Sequence, residues 1–409
     1  MAPGRTEGDG PAEDHGPVRF GPGAPEAGLP VVAELVTAVA DAAARASGEP
    51  PGGTVAVRES AAGYWARRGL RTRPDEVVCA SGAQALLFAL LAAYDGDVLL
   101  PRPSPAWWTP QARLLRHAAY HVPTPAESGG VPDPYALLET VRRVRAEGGR
   151  PGVLLLSVAD DPTASVAPPE LVREACEAAV SEGLHIVSDE TWRDTLHRPH
   201  ETVLVSPAEM CPDDVTVLTD LVGALLPSSW PAAVARFPES DRAHRERTLD
   251  VLTALGAFVA EPVAVAAAYA LDEPAPVLDR AERAAALHGQ LAEAAHLAVL
   301  ASGALARPPQ AGRHLYVDLG PLRPALAARG VNDSMELEEY LTGRLNAPVP
   351  GGHRFGDELG ALRVRISTGP LAGATPEERS QSLTSPAPLE LPHVAAALST
   401  LGTAFDELR

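Results

Sequence analysis

The stretch PDEVVCASGAQALLFALLAAY, residues 74–94, holds a short apolar run, a Ser-Gly turn and a longer apolar run. The first run has the length of a buried strand and the second that of a helix. A strand leading straight into a helix is the first half of a βαβ unit. The alternation continues downstream. DVLLPRP (97–103), AAYHVPTP (118–125), PGVLLLSVA (151–159), LHIVSDE (184–190) and VTVLTDL (215–221) read as strands. DPYALLETVRRVRAE (133–147) and PPELVREACEAAVSEG (168–183) read as helices between them, the second with proline in its first turn. Such alternation implies parallel crossover units. The expected fold is therefore α/β: a large domain whose mostly parallel sheet is sandwiched by helices.

Outward from that region the pattern changes. Residues 29–46 and 55–70 have helical spacing. Past residue 240, the stretches 249–271 and 277–303 fit long helices bridging two domains. RHLYVDLG (313–320) and ALRVRIST (361–368) read as strands, and 392–409 as a closing helix. These predict a smaller C-terminal α/β domain. The expected division is a disordered tail over 1–28, a large domain over 29–270 and a bridging helix with the small domain over 271–409. Within the large domain, 29–50 is expected to pack against the small one.

Composition narrows the function. A formal net charge of −19 argues against nucleic acid or an anionic membrane as the main partner. No run approaches the roughly 18 apolar residues of a membrane helix. Cys79, Cys176 and Cys211 lack metal-ligand spacing and suit a reducing, cytoplasmic setting. The first residues, acidic and rich in Gly and Pro, lack the apolar core of a signal peptide. All 34 positively charged side chains besides histidine are arginine; the sequence contains no lysine. No side chain therefore offers an amine for a Schiff base.

In parallel α/β sheets, ligands bind beyond the carboxyl ends of the strands. Four features fall at such places, and a fifth, Arg365, lies within a strand. SGAQ (81–84) opens a helix, and the amides of Ala83 and Gln84 would suit a phosphate, or form an ordinary turn. PRPSPAWW (101–108) offers two tryptophans to stack on a flat ring or to pack a corner. ADDPTAS (159–165) puts two carboxylates at a strand end, where they share a proton, bind metal or simply cap an Asp-Pro turn. VSDETW (187–192) ends a buried strand with Asp189 and Glu190; a buried Asp needs a cationic or protonated partner, and a helix cap is the alternative. Arg365, inside the apolar VRIS, grips a ligand carboxylate or belongs to a structural ion pair.

In order and spacing this set resembles the class I/II aminotransferases, pyridoxal phosphate (PLP) enzymes of the aspartate aminotransferase fold. The likeness runs from about Val18 to the C-terminus. RRGLRTRPDEVVCASGAQALLFAL resembles the segment leading to the phosphate turn. PRPSPAWW resembles the turn bearing the ring-stacking aromatic, which implies Trp107. DDPTAS resembles the Asn-Pro-Thr-Gly turn, with Asp161 in the Asn place. VSDETW resembles the Asp-Glu-x-Tyr segment, which implies Asp189 against the pyridine nitrogen and Trp192 in the Tyr place. PVPGGHRFGDELGALRVRIS resembles the segment ending in the arginine that binds substrate carboxylate, here Arg365.

The departures cluster. Asp161 is an acceptor when ionised, where the family has a donor. The tyrosine that reaches the partner subunit's phosphate has no counterpart near GEPP. VLTDLVGALLPSSW (217–230) resembles the Ser-x-Ser-Lys strand and loop, yet the Ser-Lys pair falls on Val222 and Gly223. The phosphate-binding Arg falls near Trp230, and Asp161 and Asp220 would repel a phosphate. Arg102, Arg193 and Arg236 would compensate only if aimed inward. Some relatives use the amino form of the cofactor, pyridoxamine phosphate (PMP), with His in the Lys place; here that place reads Gly.

The expectations are accordingly specific. PLP or PMP, by resemblance, binds non-covalently or not at all, through Ala83, Gln84, Trp107, Asp161, Asp189 and Trp192. Arg365 holds an amino acid or small carboxylate. Conventional transamination is absent or very weak. Either the pocket is repurposed for other chemistry, with Asp161, Asp189, His185 or His197 as acid or base, or the chain is a non-catalytic partner subunit or metabolite binder. The family habit implies a homodimer, or a heterodimer with a paralogue. An aminotransferase-like domain of a transcription regulator is not expected, given the short N-terminal segment and the acidic charge.

Overall fold

The computed structural model describes residues 28–44, 50–125 and 128–409. The expected N-terminal tail lies outside the described residues, Gly28 excepted.

Seven strands form one sheet: β1 (Val77–Ala80), β2 (Asp97–Arg102), β3 (Ala119–Pro123), β4 (Pro151–Ser157), β5 (His185–Asp189), β6 (Val215–Asp220) and β7 (Ala233–Arg236). Their spatial order is β1-β7-β6-β5-β4-β2-β3. β7 runs antiparallel to both neighbours, β1 and β6, so the other six strands point the same way. β7 is absent from the sequence expectations. It is four residues long and follows β6 by a tight return, which an antiparallel pair permits without a helical crossover.

Both faces of the sheet are buried, and side chains alternate between them with period two. Val77, Cys79, Leu154, Leu156, Ile186 and Val217 enter the core beneath the helices Val55–Arg67, Pro169–Ser181 and Glu261–Leu271. Val78, Ala80, Val153, Leu155, Val187 and Leu218 enter the core on the opposite face, under the helix Ala83–Ala93.

A three-stranded antiparallel sheet follows, made of β8 (Leu305–Ala306), β9 (His314–Asp318) and β10 (Arg363–Ser367), in the order β10-β9-β8. It shares a core with the long helix Ala275–Ala301 and the last helix Pro392–Asp406. The fold is α/β: a seven-stranded mixed sheet flanked by helices, with a smaller sheet beside it.

Two expectations are corrected. The helix within 29–50, Ala33–Ala43, packs on Glu261–Leu271, and its Leu35 joins the core of the large sheet. Among the described residues of 29–50, only Leu29 enters the small unit's core. The apolar stripe is short, and the alanine-rich helix 261–271 offers it a close seat. The stretch 249–271 is two helices, Arg242–Leu255 and Glu261–Leu271. Gly256 ends the first in the left-handed region at φ +62°, and Pro262 occupies the first turn of the second.

Candidate active site

A cavity of about 320 Å³ lies at the carboxyl ends of β4, β5 and β6, between the two sheets. That volume suits a small molecule. Ala83, Gln84, Trp107, Asp161, Asp189, Trp192, Gly223 and Arg365 all line it. Residues spread over 283 positions of sequence (83 to 365) thus meet at one place.

The paired acids divide their work. Asp160 holds its own turn: it accepts from Ser157 Oγ at 2.9 Å and from Thr163 Oγ1 at 2.5 Å. Burial pushes its carboxyl up to about 6. Asp161 faces the cavity and accepts from Arg365 Nη1 at 2.7 Å, and His314 Nδ1 stands 3.7 Å from its other oxygen. Arg365 is thus ion-paired within the chain, with a partner 204 residues away. The Arg365 guanidinium also lies 5.0 Å from the centre of the Phe355 ring.

At the end of β5, successive side chains take opposite sides. Asp189 lines the cavity and accepts from the Thr191 N–H at 3.0 Å. Burial pushes its carboxyl up to about 7; the Thr191 bonds oppose the shift, and the charges of Asp161 and Asp220 add to it. Glu190 is fully buried on the other side, bonded to Arg193 and Ser206. Of the two tryptophans, Trp107 lines the cavity, while Trp108 is buried in the core, ring edge to ring face with its neighbour at 83°. Trp192 also lines the cavity, edge-on to His314 and beneath Arg313.

Asp220, at the end of β6, decides the character of the floor. Its carboxylate accepts from the Ala83 N–H at 3.0 Å and from the Val222 N–H at 3.0 Å. The first of these amides opens the helix Ala83–Ala93, so a carboxylate of the chain caps the site that the turn offers to an anion. Burial raises the Asp220 carboxyl. Beside it, Gly223 is closed on its open face: a Cβ there would stand 2.4 Å from the Thr191 carbonyl oxygen.

The expected compensating cations are elsewhere. Arg102 pairs with Glu358 at 3.5 Å and Arg193 with Glu190, and neither lines the cavity. Arg236 is buried on β7, also outside the cavity, and burial lowers its pKa. The candidate bases His185 and His197 are not in the cavity either. His185 stacks on Tyr94, and burial pushes it down to about 4. His197 is held by the backbone carbonyls of Gly312 and Pro309. Trp230 packs partly buried against the large core, leaving neighbouring Pro231 on the cavity wall.

Four basic side chains that sequence reasoning missed do line the cavity: Arg280, His288, Arg313 and His314. A helical signal was present. Arg280, Ala281, Ala284, Ala285 and His288 recur at the spacing of one helix face, and all five face the cavity. The alanines leave the room that the two basic residues border.

Residues 18–219 match the family described as aminotransferase class I and II. The match ends one residue before Asp220. The chain is similar to the probable aspartate/prephenate aminotransferase of Thermus aquaticus, 30% identical over 198 residues, 47% of this chain and 49% of that one. It is 29% identical over 197 residues to the aspartate/prephenate aminotransferase of Thermus thermophilus, 46% of this chain and 48% of that one. The matched region is thus about half the length of these curated relatives. Among solved structures, aspartate aminotransferase from Thermus thermophilus with maleate superposes with a TM-score of 0.77 at 21% identity, covering 93% of this chain and 90% of that one. The aromatic aminotransferase from Pyrococcus horikoshii gives 0.75 at 18%, covering 94% of each. The chain has the aspartate aminotransferase fold, and its residues 18–219 match the aminotransferase class I and II family.

Proposed function

We propose that this chain is an aminotransferase-fold protein whose pocket has been repurposed. It holds an amino acid or other small carboxylate without a Schiff base, and conventional amino-group transfer is absent or very weak. One observation carries the reading. The sequence has no lysine, and Gly223, beside the capping Asp220, has no room for a side chain.

PLP fits this pocket on one side only. Trp107 on the wall and Asp189 at the floor suit a flat, basic ring. The phosphate end does not fit. The Ala83 and Val222 amides already bond to a carboxylate, and a phosphate there would meet its negative charge. With the amine also missing, the residues present do not fit the cofactor as the family uses it.

What the chain's own groups do is more limited. Asp189, whose carboxyl is pushed up to about 7, can hold a proton near neutral pH and release it to a bound ligand. A ligand carboxylate at Arg365 competes with Asp161 for the guanidinium. A second reading has support of its own. Asp161 on Arg365 and Asp220 on the helix start fill two anion positions from within, as suits a non-catalytic partner subunit or metabolite binder. The relatives' names make amino acids and their oxo acids the first ligands to test. The dimeric assembly, with itself or a paralogue, and a cytoplasmic setting belong to the same proposal. No helix among the described residues is long and apolar enough to cross a membrane.

An absorbance titration of the purified protein with PLP and with PMP tests the reading, paired with an amino-transfer assay. The proposal expects no Schiff-base absorbance and no turnover. Tight binding of an amino acid with no chemical change would favour the non-catalytic reading. Robust amino transfer with PLP would overturn both.

A further inference from the structure

The charges around the cavity do not balance internally. Asp161 is taken by Arg365. Asp194 is taken by Arg68 at 2.9 Å and by the Tyr64 hydroxyl at 2.6 Å. Asp220 is bonded to backbone amides, and Asp189 to the Thr191 amide. Two guanidiniums are then left on the cavity wall. Among the described residues, Arg280 donates only to the backbone carbonyls of Pro30, Ala224 and Leu29, at 3.2, 3.0 and 3.4 Å. Arg313 has no carboxylate partner among the described residues; it lies over the Trp192 ring at 5.2 Å, and its buried Nε has no hydrogen-bond partner.

The placement of each is built. Arg280 is locked by three carbonyls from two separate segments, which fixes its head while leaving N–H groups over. Trp192 supports Arg313 from one side, as a stacked arginine is supported. Both line the same cavity, and burial together with the charge of Arg313 pushes Arg280 down to about 10. Two like charges facing one cavity repel, and an anion between them reverses the sign of that interaction. Burying unpaired cations is otherwise costly.

We propose that Arg280 and Arg313 form an oxyanion clamp that binds the carboxylate or phosphate group of a small molecule. The rest of the ligand lies along the alanine face of the helix Ala275–Ala301, toward Trp107 and Trp192. This deepens the small-carboxylate reading above and rests on it for the ligand's size. It moves the anion site to residues that neither the phosphate turn nor Arg365 supplies.

Calorimetric titration with succinate and, separately, with inorganic phosphate tests the clamp in wild type, Arg313→Gln, Arg313→Lys and Arg365→Gln. Arg313→Gln leaves the backbone anchors of Arg280 intact, so it is the variant expected to fold; its thermal midpoint checks that. The clamp predicts saturable binding that weakens with salt, at least tenfold weaker in Arg313→Gln and partly restored in Arg313→Lys. Stronger binding of phosphate than of succinate would assign a phosphate-bearing ligand, and the reverse a carboxylate. Unchanged affinity in Arg313→Gln with loss in Arg365→Gln would overturn the clamp yet leave the small-carboxylate pocket standing. Failure of the wild type to bind either probe would overturn the clamp as well. Amino transfer with PLP would overturn the functional reading whatever the clamp does.

Discussion

Replacing Asp220 with alanine reopens the anion position at the start of the helix Ala83–Ala93. The substitution frees the Ala83 and Val222 amides, each bonded at 3.0 Å in the native chain. It also removes a negative charge from the place a phosphate would take. Two unit charges about 4 Å apart interact by about 4 kcal/mol at an effective dielectric of 20. That is roughly a thousandfold in affinity as an upper limit, since 1.4 kcal/mol is about tenfold. Burial raises the Asp220 carboxyl, and the full Coulomb figure is an upper limit. A gain of about tenfold to a hundredfold is the working expectation. The cost falls on stability: an unpaired buried amide costs about 1–3 kcal/mol, less where water replaces the carboxylate. Equilibrium dialysis of PLP, with unphosphorylated pyridoxal as control, reads the effect. The gain is expected for PLP alone, with amino transfer still absent. Equal gains for both compounds, or no gain for PLP, would refute the argument that Asp220 occupies a phosphate position.

Three further outcomes follow from the same geometry. Gly223→Lys does not create a working site: its Cβ falls 2.4 Å from the Thr191 carbonyl oxygen, so the backbone must shift. A loss of about 1–3 kcal/mol is expected in urea unfolding, with no Schiff-base absorbance on adding PLP. Asp161→Asn leaves Arg365 without its carboxylate, which costs about 1–2 kcal/mol, because the pair is partly buried and water in the cavity replaces part of the lost contact. Added succinate should recover part of that loss in a thermal-shift assay more strongly than in wild type; equal shifts would count against the ion pair as an internal stand-in for ligand. Asp189 has its folded pKa raised from about 4 to about 7, so its contribution to stability is present below pH 4 and is lost as pH rises through 7. The slope is at most about 1.4 kcal/mol per pH unit in that window. Asp189→Asn should flatten the fall of unfolding free energy between about pH 4 and 7; an unchanged slope would place the titration elsewhere.

Much of the fold could be read from local pattern. Strands such as Val153–Leu156 and Ile186–Val187 carry continuous apolar runs because both sheet faces are covered, and that signature survives in sequence. β7 escaped because Ala233–Arg236 is four residues with no helix before it, so neither length nor alternation marks it. The helix Ala33–Ala43 was misassigned because its partner, Glu261–Leu271, lies more than two hundred residues away. The eight marked residues do converge on one cavity, since strand ends are legible and sheet topology then brings them together. Their pairing was not legible. Nothing local says that Asp161 meets Arg365, or that Asp220 reaches back to Ala83 across 137 positions. Arg280 and Arg313 stood among 34 arginines in the sequence, and only the helix-face spacing around Arg280 hinted at a role.

The central claim is that this aminotransferase-fold pocket does not run Schiff-base chemistry. The most direct test incubates purified protein with excess PLP, an amino-acid donor and a 2-oxo acid acceptor, and follows amino transfer against PLP alone. The account predicts a rate no higher than that of free PLP. A saturable, protein-dependent rate would contradict it.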